Sequence, residues 1–138
     1  GYRNQNSPQA AGEIKRILLA CAPGSMHILG LSIVSEFFRN DGWHVVMELA
    51  STEQDLLQTL RREWFDVIGL SVALAEQLPG LPALVKTIKS AALNPNTRVI
   101  LGGRAVTLDS DLLKNTGADG FSTHAPEAVI LAKTLLNA

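Results

Sequence analysis

The sequence predicts an α/β domain: a single doubly wound five-stranded parallel sheet with helices on both faces. Three observations lead there. Short apolar runs of strand length alternate with stretches of helical period from Ile14 to the last residues, and that alternation is the mark of parallel sheets built by right-handed crossovers. The connections are short and hold Gly, Pro, Asn or Asp, as turns between packed elements do. With 138 residues, of which 46% are hydrophobic, the chain can bury one core and is too short for two ordinary domains.

The elements follow in order. Ile14 to Cys21, IKRILLAC, is apolar and bounded by Pro23-Gly24, so it reads as a buried first strand. The period then changes. Ile28, Leu31, Val34, Phe37 and Phe38 recur at helical spacing while Ser35, Glu36, Arg39 and Asn40 take the other side, which makes His27 to Asn40 an amphipathic helix stopped by Asp41-Gly42. His44 to Glu48 is the second strand. A second helix runs from about Thr52 to Arg62, entered through Ser51-x-x-Gln54, a match to the capping box. Phe65 to Ser71, FDVIGLS, is the third strand and the most clearly buried. Leu81, Leu84, Val85 and Ile88 mark a third helix, Thr97 to Leu101 a fourth strand, and Val106, Leu108, Leu112 and Leu113 a short fourth helix. Ala118 to Ser122 is a weaker fifth strand, and Pro126 to Leu136 a last helix with proline in its first turn. The polar start, residues 1–12, reads as a disordered linker or a cut chain end, and 13–138 as the domain.

Composition narrows the function classes. Twelve Lys and Arg oppose 13 Asp and Glu, so no net charge pulls the chain to nucleic acid or to an anionic membrane. The one cysteine, Cys21, excludes an intrachain disulfide and a multi-cysteine zinc site, and fits a reducing compartment. No apolar run approaches the length of a membrane span, and the polar start is no signal peptide, so the cytoplasm is the expected location.

In a flavodoxin-like doubly wound sheet, ligands bind beyond the carboxyl ends of the strands, near the point where strand order reverses. That rule selects Ala22 to His27, Ala50-Ser51, Ser71 to Ala73, Gly102-Gly103 and Thr123-His124. Three familiar chemistries fail there. A phosphoacceptor receiver needs acidic residues at the end of the first strand, where this chain has LLACAPGS. A dinucleotide site needs Gly-x-Gly-x-x-Gly in the first turn, and Gly24 and Gly30 do not make it. A flavin phosphate loop needs more hydroxyls than Ser25 alone.

A fourth pattern accounts for all the pieces together. Ser25-Met26-His27-Ile28-Leu29-Gly30, Ser71-Val72-Ala73 and Gly102-Gly103 stand with 40 residues in the first gap and 28 in the second. This arrangement resembles the signature of cobalamin-binding domains, Asp-x-His-x-x-Gly, Ser-x-Leu and Gly-Gly at similar separations. The resemblance covers the chain from Ile14 onward. It implies that cobalamin is the cofactor, that His27 is the lower axial metal ligand in place of the cofactor's own base, and that the displaced nucleotide tail runs down a groove in the domain. Gly30 would belong to that groove, Ser71 would contact the tail base, Gly102 and Gly103 would let the tail pass close to backbone, and Thr123 would complete the edge. Imidazole suits such a metal, and glycine clears space.

Two positions depart from the pattern. The family's aspartate is Ser25, so the carboxylate that would orient the imidazole is replaced by a neutral hydroxyl. The family's leucine is Ala73, which implies a wider tail pocket. Among the roles of such domains, the texture of FFRNDGWHVV and EWFDVIGLSVA resembles the antirepressor and photoreceptor type of regulator, including a variant group that holds heme instead. That resemblance implies a non-enzymatic tetrapyrrole sensor whose partner is a transcriptional repressor or other domains of a longer chain, with no direct contact to nucleic acid. A corrinoid carrier subunit of a methyltransferase or mutase, and an apo protein-interaction module, are the other classes compatible with the same residues. His124, on the ligand edge, is a possible second ligand. His44 is expected at a strand edge, and Trp43 and Trp64 at the opposite end of the sheet.

Overall fold

Every residue of β1 (Arg16–Cys21) is buried, as an unbroken apolar run requires when a strand is covered on both faces. A computed structural model describes residues 14–23, 28–48, 52–107, 111 and 114–137. The expectations placed on 1–12, Ser25, His27, Ser51, Leu108, Leu112 and Leu113 lie outside them. The polar end of β1 is buried because it is paired: the Arg16 guanidinium donates to the Trp64 carbonyl and to Glu63, and lies 5.4 Å from the centre of the Phe65 ring.

Around β1 lie β2 (His44–Glu48), β3 (Val67–Ser71), β4 (Arg98–Gly102) and β5 (Gly120–Ser122), all parallel, in the order β2-β1-β3-β4-β5. The five-stranded doubly wound α/β sheet is therefore present. The helices with fully described bounds are α1 (Ile28–Asn40), α2 (Glu53–Arg62), α3 (Leu81–Ala91) and α4 (Ala125–Leu136). None of the described helices is long and apolar enough to cross a membrane.

Strand alternation splits the core in two. Leu18, Ala20, Ile68, Leu70, Val99 and Leu101 face α2 and α3, packing on Leu56, Leu60, Leu84 and Ile88. Ile17, Leu19, Cys21, Val67 and Ile100 face the other side, where Leu31, Phe38, Ala128 and Ala132 meet them. Burying each large apolar side chain among these contributes roughly 1.5–3 kcal/mol. Cys21 is thus a core residue. Trp43 is buried at the opposite end from the ligand edge, its ring edge-on to Phe38 at 5.1 Å and its indole N–H donated to Asp41. His44 is exposed at the start of the outer strand.

Two expectations need correction. In α1 the polar Ser35 is 1% exposed while Phe37 is 41% exposed, the reverse of the expected sides. Leu31, Ser35 and Phe38 form the inward line at helical spacing, and Ser35 can be buried because its hydroxyl donates to the Ser32 carbonyl. The cap of α2 is one residue later than expected. Thr52 is the N-cap, its Oγ1 accepting from Asp55 N–H while the Asp55 carboxylate accepts from Thr52 N–H. After β4 the chain forms a 3₁₀ helix, Arg104–Thr107, and Asp111 and Lys114 are helical, in the stretch where the short fourth helix is expected. A second 3₁₀ helix, Ala75–Gly80, precedes α3. The strand ends otherwise shift by a residue or two. β1 and β3 begin later than the apolar runs that announce them, with Ile14 left exposed.

Candidate functional site

Parallel pairing aligns Leu19 with Gly69, Gly69 with Ile100, Ser71 with Gly102, and Gly102 with Ser122. In-register neighbours of a parallel sheet share a face, so these positions lie on the side covered by α1 and α4. Where a large residue would fill that face, β3 has Gly69 and β4 ends in glycine. The result is a cavity of about 310 Å³ between the sheet and the two helices. Ile17, Leu19, Val34, Phe38, Gly69 and Ile100 line its apolar depth, and Gly30, Ser71, Gly102, Gly103, Thr123 and His124 also border it. It opens at the carboxyl end of the strands, beside the place where the chain leaves β1 for β2 on one side and returns to β3 on the other.

Glycine is required here by space and by backbone. Gly103 has φ +100°, and a Cβ on it would lie 2.6 Å from the Val72 carbonyl oxygen and 3.1 Å from Ser71 Oγ. That close approach is fixed by two hydrogen bonds, Val72 N–H to the Gly102 carbonyl at 2.7 Å and Ala105 N–H to the Val72 carbonyl at 3.0 Å. At Gly102 a Cβ would stand 3.1 Å from the Ser122 carbonyl oxygen. Gly30 differs: a Cβ there would have nothing within 4 Å among the described residues, so what it leaves clear is the open space of the cavity.

The polar groups sit at the mouth. The Ser71 hydroxyl makes no side-chain hydrogen bond to another described residue and is available to an acceptor or donor in the cavity. Ser122, buried at the end of β5, is already engaged, donating to the His124 carbonyl at 2.9 Å. Thr123 Oγ1 lies 3.3 Å from His124 Nδ1, and Glu127 approaches the same nitrogen at 3.7 Å. The imidazole of His124 is therefore tied to its own helix start while bordering the cavity.

Of the residues singled out from sequence, Gly30, Ser71, Gly102, Gly103 and Thr123 come together on this one cavity. Ala73 does not line it. Its N–H donates to Gln77 Oε1 at 3.1 Å, in the loop leading to the 3₁₀ helix, so its small side chain does not widen the pocket as expected. Two residues escaped the sequence reading. Gly69 is the floor of the cavity, and its signal was a glycine in the middle of an apolar strand, VIGLS, a position that marks close approach of a ligand or backbone. Gln77 joins the loops after β1 and β3, donating to the Ala22 and Pro23 carbonyls at 3.1 and 3.0 Å. No periodic pattern announces it.

Comparison with known proteins gives a consistent result. The family model described as B12 binding domain matches residues 15–130. Dimethylamine corrinoid protein 1 of Methanosarcina acetivorans is 29% identical over 92% of this chain, which spans 59% of that relative's length. In fold, a cobalamin-binding protein from Desulfitobacterium hafniense superposes with a TM-score of 0.77 at 23% identity, covering 89% of this chain and 60% of the other. The monomethylamine corrinoid protein of Methanosarcina barkeri does so with 0.71 at 19% identity, covering 91% and 58%.

Proposed function

Since the chain belongs to the B12 binding domain family, we propose that it is a corrinoid-binding module that holds cobalamin for methyl transfer between partner proteins. The observation that carries the reading is the cavity: residues from five separate stretches of the chain converge on it, and its glycines leave a cradle that side chains would fill. The residues present fit the cofactor. His27 would hold the metal, the Ser71 hydroxyl would meet the tail base, and Gly69, Gly102 and Gly103 would leave the tail room. Bound cobalamin supplies a cobalt atom able to accept and release a methyl group.

The chain's own part is to bind and shield. Ile17, Leu19, Phe38 and Ile100 offer an apolar bed to an aromatic base, and the Ser71 hydroxyl gives it an orientation. Substrate sites would belong to partners, and the domain itself would not be an enzyme. Methylamine corrinoid proteins among the relatives favour this carrier role over the transcriptional sensor and over heme. Those two expectations rest on the sequence alone, its texture and the serine at position 25.

The test is retention of tetrapyrrole on gel filtration. The protein should retain one equivalent of hydroxocobalamin and little cobinamide, which lacks the tail, and little hemin. Equal retention of cobinamide, or preference for hemin, overturns the assignment of the cavity to the tail. A methylcobalamin-loaded protein whose oligomeric state changes on illumination would instead support the sensor role.

A further inference from the structure

We propose that Gln77 is a positioning residue for the candidate site: its amide fixes the loop after β1, which leads to His27, against the loop after β3, which follows Ser71. The inference rests on the reading that the first of these loops carries the metal ligand. A glutamine side chain has two acceptor lone pairs and two donor hydrogens, and here all four are used. Oε1 accepts from Ala73 N–H at 3.1 Å and from Leu74 N–H at 3.0 Å. Nε2 donates to the carbonyls of Ala22 at 3.1 Å and Pro23 at 3.0 Å. The partners are backbone N–H groups on one side and carbonyls on the other, so the amide can sit only one way round.

Capping the 3₁₀ helix Ala75–Gly80 would explain just one of these bonds, the one from Leu74 N–H three residues back. The pair to Ala22 and Pro23 reaches across to another strand's end and does nothing for that helix. It adds to a tie already there, Ala22 N–H to the Ser71 carbonyl at 2.9 Å. Pro23 has no N–H of its own, so its carbonyl is the only backbone group by which it can be held. His27 follows Pro23 by four positions, and four residues span at most about 14 Å. Gln77 holds Pro23, and α1 starts at Ile28; in sequence His27 falls between these two described points.

Two variants test this. Gln77→Glu keeps the length but has only acceptors, so it retains the bonds from Ala73 and Leu74 and sets a carboxylate against two carbonyl oxygens. Gln77→Met keeps the length and removes all four bonds. The first readout needs no cofactor: amide hydrogen exchange across residues 22–30 should quicken by about tenfold or more in both variants. Exchange in Val99 to Leu101 reports overall unfolding separately, and loop rates are compared after allowing for it. Unchanged loop exchange overturns the proposal. The second readout is hydroxocobalamin titration, where affinity should fall about 10- to 100-fold, as when a partner that orients a metal ligand is removed. Parent protein that binds no hydroxocobalamin would overturn the cofactor reading, while the exchange experiment would still decide the role of Gln77.

Discussion

At Gly103 one backbone angle and one distance state what the Gly-Gly pair is for. Its φ of +100° is open to glycine alone among ordinary residues, and a Cβ on it would meet the Val72 carbonyl oxygen at 2.6 Å. Gly103→Ala should therefore lower stability by about 1–3 kcal/mol from backbone strain alone, read as a lower urea midpoint. Gly69 makes the contrasting case. A Cβ there would first meet the tip of Leu19 at 2.8 Å, a flexible end that can turn aside, and β-branched residues suit strands. Gly69→Val should leave stability within about 1 kcal/mol of the parent yet weaken cobalamin binding at least tenfold, about 1.4 kcal/mol. Unchanged affinity in the titration would show that no tail lies over Gly69. Gly102-Gly103 could be read from sequence because two adjacent glycines at a strand end signal a close approach, whereas Gly69 inside an apolar run reads as one more buried position.

Elements were legible where hydrophobic period dominates and less so where side chains cap or bury themselves. The inward line of α1 runs through Ser35, and a pattern of apolar residues alone sends serine outward and Phe37 inward. What decides the matter is the hydroxyl's bond to Ser32 within the helix. The start of α2 shows the same limit. Ser51 and Thr52 both look like caps, and only the reciprocal bonds between Thr52 and Asp55 choose between them. Thr52→Ala should then cost about 1 kcal/mol, as loss of an N-cap usually does, measured by thermal or urea unfolding. The 3₁₀ helix with Gln77 had no period to announce it, because its work is done by one polar side chain reaching to another loop.

For the molecule as a whole, the described residues of the three motif pieces meet because parallel register places Ser71, Gly102 and Ser122 side by side at one edge, with Gly30 brought over them by α1. The spacing in sequence already implied this, since each strand-helix unit returns the chain to the same edge. The depth of the cavity was not legible, because it depends on which residues of five strands share a face. The central claim is that the cavity takes the cofactor's tail so that His27 replaces it at the metal. The most direct measurement is the electron paramagnetic resonance spectrum of the cob(II)alamin-loaded protein, prepared with ordinary histidine and with heavy-nitrogen histidine. The account predicts that the nitrogen splitting changes from triplet to doublet with the label and is lost in His27→Ala. A triplet that persists with labelled histidine would show the cofactor's own base still on cobalt, and would contradict it.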